Sequence, residues 1–253
     1  MSTVFVVIGA KGGTGREIVK SLLARPVAEV SKVRAVVRDP SSVPDGALPT
    51  DNDRLDIVRG DCTQPGTLPL EGGVHTVFYA AAGKGYAMGV AVDRTGPGEV
   101  GKAAAAAGVG RVVLISSQLV DRSQGNRYSF IRGVLNTINS GLFHFEGMMD
   151  FKYEGERNLK ASGASWTILR PGRLGDGAAG GAGALAVDQG VTGSFCPGSI
   201  VPRSDLGALA VAAAFSARCA GATVEVGTRG QAPAPAPGPG YWDGLFEALQ
   251  PDA

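Results

Sequence analysis

The sequence predicts an α/β fold in which helices cover both faces of a doubly wound parallel sheet. Short apolar segments rich in β-branched residues alternate with helical patterns along the chain, as successive βαβ units require. A glycine-rich loop joins the first apolar segment to the first helical pattern. The 253 residues are 44% hydrophobic, so the chain can bury a substantial core. We therefore expect right-handed crossovers, the strand order 3-2-1-4-5-6 and a short extra strand.

Each predicted strand is a short apolar run, which is typical of strands buried on both faces. The strands are predicted at Thr3–Ile8, Val33–Val37, Leu55–Val58, Thr76–Ala80, Arg111–Ser116 and Ser165–Leu169, with the extra strand at Thr223–Val226. The helical patterns carry one apolar face or are rich in alanine, and most of them end at proline or glycine. The helices are predicted from Arg16 to Arg25, from Pro97 to Gly108, over Met148–Ser162 and over Asp205–Ala217.

The predicted organisation is one domain over residues 1–229, followed by a linker and a terminal helix. Insertions at 119–147 and 172–203 follow the fifth and sixth strands and are expected to form the substrate side. Residues 230–240 read GQAPAPAPGPG, a composition typical of an extended spacer. Apolar residues then recur at helical spacing over 241–253, which predicts a helix that docks onto the body of the domain.

Composition and charge argue against several classes of protein. The net charge of +1 provides no basic field for nucleic acid, and no run approaches the ~20 apolar residues of a membrane span. Cys62, Cys196 and Cys219 form no CxxC pair, and only two histidines are present, so we expect neither a disulfide framework nor a metal site. The first apolar run begins at Thr3, which predicts a cytoplasmic location, or an organelle if a transit peptide has been removed. Since no further amphipathic stripe remains, we expect a monomer.

The strongest motif is the glycine loop GAKGGTGR, placed between a buried strand and an amphipathic helix. In this GxxGxxG spacing the first glycine permits a tight turn, and the second lets the backbone approach a pyrophosphate. The third glycine lets the helix pack on the strand. Helix N-terminal N–H groups then hold the phosphates. The loop therefore predicts a dinucleotide site that includes Gly9, Lys11, Gly12, Gly13, Thr14, Gly15 and Arg16.

The end of the second strand bears on the choice between NAD and NADP. A carboxylate at this point hydrogen-bonds the ribose hydroxyls and favours NAD. Here Val37 is followed by Arg38, whose planar guanidinium suits a 2′-phosphate. Lys11 and Arg16 could add positive charge. We expect NADP(H), with NAD(H) as the alternative because Asp39 comes next.

A set of motifs that spans the chain up to about Ser216 resembles one known family. The motifs are VIGAKGGTGREIV, VRAVVRDP, VRGDCTQP, VFYAAAG, AAAAAGVGRVVLISS, KYEGERNLKASGASWTILRPGRL and VPRSDLGALAV. They are similar to those of the atypical short-chain dehydrogenases/reductases of the NmrA-like, NAD(P)-binding kind. The resemblance implies a Rossmann-type sheet with a bound dinucleotide.

The same resemblance implies roles for residues outside the glycine loop. The GDCT run, with Asp61 and Cys62, is expected at the adenine, and the residues after the fourth strand along the dinucleotide. Residues near the nicotinamide end are expected after the fifth and sixth strands and on the helix between them. The residues implied are Ala81, Ala82, Gly83, Ser116, Ser117, Lys152, Pro171 and Gly172.

The proton donor of the typical family member is missing from this chain. A typical enzyme uses Tyr-x-x-x-Lys, because the i, i+4 spacing puts both side chains on one helix face and the lysine lowers the tyrosine pKa. Lys152 is present, but Met148 occupies the tyrosine position, and a thioether cannot donate a proton. Lys152 and Ser117 remain as candidate catalytic residues, with Lys152 as a cofactor anchor alone as the alternative. The candidate proton donors are Tyr128, Tyr86, Ser117 and a bound water.

Three functions follow as hypotheses. The first is an NADPH-dependent reductase of a small delocalised acceptor such as a quinone, which needs little acid help. The second is a non-catalytic NADPH sensor or assembly scaffold, as some NmrA-like relatives are. The third is an RNA-handling relative, which the near-neutral charge and the lack of a basic, aromatic stripe disfavour. We favour the first, with the substrate itself unknown.

Overall fold

The structure, a computed structural model, describes residues 3–121, 133–134, 136–137, 147–176, 184–189, 200–228 and 240–252. Its strands are β1 (Val4–Ile8), β2 (Lys32–Val37), β3 (Leu55–Arg59), β4 (Val74–Tyr79), β5 (Arg111–Ile115), β6 (Trp166–Pro171), β7 (Arg173–Gly175), β8 (Leu185–Asp188), β9 (Ile200–Pro202) and β10 (Ala222–Thr228). Within the described residues, eight of them form one sheet in the order β3-β2-β1-β4-β5-β6-β10-β8. The remaining two, β7 and β9, pair in a small parallel sheet.

The main sheet confirms the predicted fold class and strand order. β1 to β6 and β10 are parallel throughout, and β10 is the extra strand expected after β6. β8 pairs antiparallel with β10 and was not predicted. Neither were β7 and β9, because runs of three or four residues carry no periodic signal in a Gly- and Ala-rich segment.

The helices are α1 (Gly13–Leu23), α2 (Gly85–Met88), α3 (Gly96–Ala106), α4 (Met148–Lys160), α5 (Arg203–Phe215) and α6 (Tyr241–Phe246). A π-helical segment, Gly89–Thr95, joins α2 to α3 without a break. The sequence predicted this helical stretch only from Pro97, because the glycines at 85, 89 and 96 have low helix propensity. Packing stabilises it instead: the π-helical segment lies against α4.

Alternate residues of the central strands enter two separate cores. Phe5 and Val7 of β1 face the core that includes residues of α1 and α5, and Val6 faces the core that includes residues of α3 and α4. α1 and α5 pack closely near their N-termini, since a Cβ atom on Gly207 would lie 2.8 Å from the carbonyl oxygen of Glu17. This contact places the start of α5 beside the glycine loop.

The C-terminal residues pack against the main sheet. Phe246 and Leu249 are buried in the core on the α1 and α5 side. Asp252 accepts hydrogen bonds from the backbone N–H and the hydroxyl of Thr223 on β10, at 2.9 and 2.6 Å. Most of the predicted linker lies outside the described residues, so the domain boundaries at 229 and 240 stay a prediction.

Candidate functional site

A groove of about 840 Å³ lies at the carboxyl ends of β1, β2, β3 and β4. This is the edge at which ligands bind in open parallel sheets. The strands bring together residues that are far apart in the chain. Of the predicted cofactor residues, the groove gathers Gly9, Lys11, Gly12, Arg38, Asp61, Cys62, Ala81, Ala82 and Gly83.

The glycine loop has the backbone geometry that a phosphate-binding turn requires. Gly9 has φ +79°, and a Cβ atom there would lie 2.8 Å from the carbonyl oxygen of Ala80. A Cβ atom on Gly15 would overlap the carbonyl oxygen of Gly9. No side chain caps the N-terminus of α1, whose N-cap is Gly12. The first-turn N–H groups are therefore available to an anion.

Two cationic side chains line the end of the groove next to β2. Lys11 Nζ donates to Ser42 Oγ at 2.9 Å. Arg38 is exposed and makes no hydrogen bond or ion pair with the described part of the chain. The carboxylate of Asp39 turns back into its own loop, where it accepts from the N–H and hydroxyl of Ser41 at 3.1 and 2.8 Å. These hydrogen bonds lower the pKa of Asp39.

The GDCT run forms the wall of the groove after β3. Asp61 Oδ1 accepts from the backbone N–H and the hydroxyl of Thr63, both at 2.9 Å. Cys62 is buried, and this burial raises the pKa of its thiol. Cys62 therefore contributes an uncharged, weakly polar surface rather than a reactive thiolate.

A buried carboxylate holds Lys152 at the other end of the site. Lys152 Nζ lies 2.8 Å from Asp93 Oδ1, and the side chain of Asp93 is 2% exposed. Asp93 Oδ2 accepts from the backbone N–H of Gly83 at 2.7 Å. Asp93 therefore links the lysine on α4 to the loop after β4. It stands in the π-helical segment, a distortion frequent at functional sites.

Ser116, the residue directly after β5, belongs to a buried ionic network. Its hydroxyl donates to Glu156 Oε1 at 2.5 Å. Arg170 binds both oxygens of Glu156, at 2.6 and 3.0 Å, and lies 3.4 Å from Glu225. Burial disfavours the arginine charge, but the hydrogen bonds and charge of Glu156 outweigh it and raise the pKa of Arg170. Since the hydroxyl proton of Ser116 points to Glu156, its lone pairs are what remain for the site.

Sequence reasoning missed Asp93 and Glu156. Glu156 did leave a signal, because it follows Lys152 by four residues and so lies on the same helix face. Asp93 left none, since it stands 59 residues from Lys152 outside any recognisable spacing. Ser116 and Lys152 line one small cavity together with Asp93 and Ala81, and Ala81 also lines the groove.

The loops after β5 and β6 are tied together. The N–H of Gln118 donates to the carbonyl of Pro171 at 3.0 Å, and the N–H of Gly172 donates to the carbonyl of Val226 at 2.9 Å. Leu119 has φ +65°, a strained conformation for a buried leucine. Ser117 is half-buried, and its hydroxyl has no hydrogen bond within the described ranges.

The position of the missing tyrosine, four residues before Lys152, carries no hydroxyl group. Met148 is the first residue of α4, one turn before Lys152. Tyr86 is half-buried and packs edge-on against Phe151, with ring centroids 5.2 Å apart. Tyr128, His144 and Cys196 lie outside the described residues.

The described residues contain no group of three or more His, Cys, Asp or Glu side chains that could hold a metal ion. None of their helices is both long and apolar enough to cross a lipid bilayer.

The chain matches known proteins at the level of family and fold. A family model described as NAD(P)H-binding matches residues 9–217. An uncharacterized chloroplastic protein of Arabidopsis thaliana is 32% identical over 175 residues, which are 66% of this chain and only 58% of that protein's length.

Solved structures show the same fold at low sequence identity. A short-chain dehydrogenase/reductase of Veillonella parvula, solved in complex with NADP, has a TM-score of 0.68 at 16% identity, with 94% of this chain and 99% of that chain covered. ChuY, an anaerobillin reductase of Escherichia coli O157:H7, has a TM-score of 0.64 at 20% identity, with 92% and 100% covered. The expected Rossmann-type fold is thereby confirmed.

Proposed function

This chain belongs to the NAD(P)H-binding family whose model matches its residues 9–217, and on that premise we propose that it is an NADP(H)-dependent reductase of a small, delocalised acceptor such as a quinone. One observation carries the proposal. Next to Lys152, the Ser116 hydroxyl donates its hydrogen bond to Glu156, and methionine stands at the tyrosine position. A bound NADPH would supply the hydride, and the protein supplies binding and orientation.

The choice of NADP(H) rests on the cations beside β2. Asp39, the carboxylate that could bind ribose hydroxyls, already accepts two hydrogen bonds from Ser41. Arg38 and Lys11 line the groove at the same end, and Arg38 has no partner among the described residues. A 2′-phosphate would receive charge-assisted hydrogen bonds from both cations, whereas a 2′-hydroxyl offers them no negative charge.

The glycine loop fits the pyrophosphate of such a dinucleotide. Side chains are excluded at Gly9 and Gly15 by close backbone contacts, so the loop can approach a ligand closely. The uncapped N-terminus of α1 supplies N–H donors and the positive end of the helix dipole.

We propose a delocalised acceptor because the described part of the site lacks a strong proton donor beside Lys152. A simple ketone that accepts a hydride becomes an alkoxide and needs an acid at hand. Lys152 is held by Asp93, and Ser116 presents only lone pairs. The hydroxyl of Ser117, a very weak acid, therefore remains as a candidate donor after β5. A quinone spreads the added charge over its ring and can take a proton from water. ChuY, named as an anaerobillin reductase, is a structural neighbour whose name also denotes a reductase.

Turnover with a panel of acceptors tests this proposal. We expect quinones, but not isolated ketones, to oxidise NADPH. The loss of nicotinamide absorbance measures this oxidation. Met148→Tyr should add ketone reduction, because a positioned general acid contributes about 10²–10⁴-fold. Met148→Phe is the matched control, since it places the same ring without the hydroxyl, and it should leave ketones unreduced.

A second candidate function is a non-catalytic NADPH sensor or scaffold. It is favoured by the same feature, namely that Lys152 and Ser116 are both engaged by buried carboxylates. Binding of NADPH without its oxidation by any acceptor in the panel would replace the reductase by this sensor.

The proposed setting is a monomer in the cytoplasm with a small-molecule substrate. An organelle is the alternative location, and the chloroplastic relative of Arabidopsis thaliana supports that alternative. Size-exclusion chromatography with light scattering tests the monomer.

A further inference from the structure

We infer that Arg203 binds the pyrophosphate of the dinucleotide at the N-terminus of α1. Asp176 competes with the pyrophosphate for the guanidinium of Arg203. The inference rests on the proposed NADP(H) site. It assigns a residue that is distant in sequence from the glycine loop, on the first turn of α5.

The side chain of Arg203 lies directly over the glycine loop. A Cβ atom on Gly13 would be 2.8 Å from Arg203 Cδ, 2.9 Å from Nε and 3.6 Å from Cζ. Gly13 is the first residue of α1, where no side chain caps the N–H groups. The guanidinium therefore adjoins the place where these groups would hold a pyrophosphate.

The backbone of Arg203 is well anchored. Leu206 and Leu209, on the first turns of α5, are fully buried. The close contact between Gly207 and Glu17 sets the distance from α5 to α1. Only the outer part of the arginine side chain is free to change partner.

The partner that Arg203 has in the structure is a weak one. Arg203 Nη1 lies 2.6 Å from Asp176 Oδ1, but the side chain of Asp176 is 81% exposed. Exposed ion pairs contribute about 0–1 kcal/mol. A pyrophosphate would offer the guanidinium several charged oxygens and a bidentate geometry. Exchange of Asp176 for the phosphate is therefore favourable.

Arg203 lies at a different part of the site from the cations Lys11 and Arg38. Lys11 and Arg38 line the end of the groove next to β2, where the 2′-phosphate is proposed. Arg203 lies beside Gly13, where the glycine loop ends and α1 begins. Loss of Arg203 should then affect the pyrophosphate without affecting the 2′-phosphate.

Equilibrium binding of NADPH and of adenosine 2′-monophosphate to the full chain tests the inference. Arg203→Ala should weaken NADPH binding by about 10- to 100-fold, as expected for loss of charge-assisted hydrogen bonds. It should leave the affinity for adenosine 2′-monophosphate unchanged, because that probe has no pyrophosphate. Arg203→Lys should recover part of the NADPH affinity.

Asp176→Asn provides a test of opposite sign. Removal of the competing carboxylate should strengthen NADPH binding by about 1.5- to 5-fold. The same change in the Arg203→Ala background should have no effect. Arg218→Ala, which removes an exposed arginine just beyond the far end of α5, is the matched control and should bind NADPH as the wild type does.

The outcomes separate this inference from the proposed function. An Arg203→Ala protein with wild-type thermal unfolding that binds NADPH within about twofold of the wild type overturns the inference and leaves the NADP(H) site standing. A wild-type protein that binds neither NADPH nor NADH overturns both. An equal loss for NADPH and adenosine 2′-monophosphate would also overturn the assignment to the pyrophosphate.

Discussion

At the scale of single residues, the groups around Lys152 are engaged with one another rather than directed at a substrate. Ser116 donates to Glu156, and Glu156 is held on both oxygens by Arg170. Lys152 is paired with Asp93, whose negative charge offsets the lysine charge that would otherwise lower a neighbouring acid's pKa. A tyrosine introduced at Met148 would thus add a proton donor whose pKa the paired lysine lowers little, which places the gain in ketone reduction near the low end of about 10²–10⁴-fold.

Arg38 should decide the preference between the two dinucleotides. We expect Arg38→Ala to weaken NADPH binding by about 10- to 100-fold and to change NADH binding by less than about twofold, since only NADPH carries the 2′-phosphate. Fluorescence titration of both cofactors measures the difference. Arg157→Ala, an exposed arginine of α4, serves as the control. An equal loss for NADPH and NADH would remove the 2′-phosphate assignment.

Asp93 should contribute to stability because its ion pair is buried. Asp93→Asn leaves Lys152 with a neutral partner, and we expect a loss of about 1–3 kcal/mol in the free energy of unfolding in urea. Asp56→Asn is the matched control. It breaks an ion pair of the same 2.8 Å length with Lys32, but both side chains are about a third or more exposed, so the loss should stay below about 1 kcal/mol. Equal losses for the two variants would show that burial of the Lys152 pair adds nothing.

A local spacing in the sequence was enough to indicate which residues lie near the groove. The glycine loop and Arg38 could be assigned to one groove because they directly follow predicted strands. Asp93 could not, since its role depends on a contact with Lys152 across two helical segments. The roles of the predicted cofactor residues stay a prediction until a dinucleotide is bound.

At the scale of elements, α4 presents one face to the site. Met148, Lys152 and Glu156 follow one another at four-residue intervals, so they lie along the same side of the helix. The π-helical segment supplies Asp93 to that face. The sequence predicted α4 well because its amphipathic pattern is long, whereas the glycine-rich stretch from Gly85 to Thr95 gave no helical signal.

The docking of the C-terminal residues should depend on pH through Asp252. Burial opposes its ionisation, but hydrogen bonds from Lys160 and Thr223 outweigh it and lower the pKa of Asp252 below its usual 3.8. A carboxyl whose pKa is lower in the folded state stabilises the protein above its unfolded-state pKa, and that contribution is lost as the pH falls through the folded-state pKa.

Asp252→Asn should therefore lower the free energy of unfolding by about 1–3 kcal/mol at pH 7, with a difference that shrinks as the pH falls below about 4. Urea unfolding at several pH values measures this difference. Asp243→Asn, an exposed position on α6, is the control and should be nearly neutral at each pH. A difference that stays constant down to pH 2 would contradict the ionic role of Asp252.

At the scale of the whole molecule, the sheet order brings the ends of β1, β2 and β4 to one edge, and the groove lies there. The predicted order 3-2-1-4-5-6 was confirmed because parallel βαβ units leave few topologies. The predicted membership of an NAD(P)-binding family was confirmed, and a short-chain dehydrogenase/reductase of Veillonella parvula shares the fold, while the NmrA-like assignment stays a prediction. The antiparallel β8 lay beyond sequence reasoning, since its pairing partner β10 follows it by more than thirty residues.

The affinities of the wild-type chain for NADPH and NADH, measured side by side by isothermal titration calorimetry, test the proposed NADP(H) site directly. The arrangement of Arg38, Lys11 and the glycine loop predicts that NADPH binds at least about tenfold more tightly than NADH, as one charge-assisted contact requires. Binding of NADH as tightly as NADPH, or binding of neither, would contradict it.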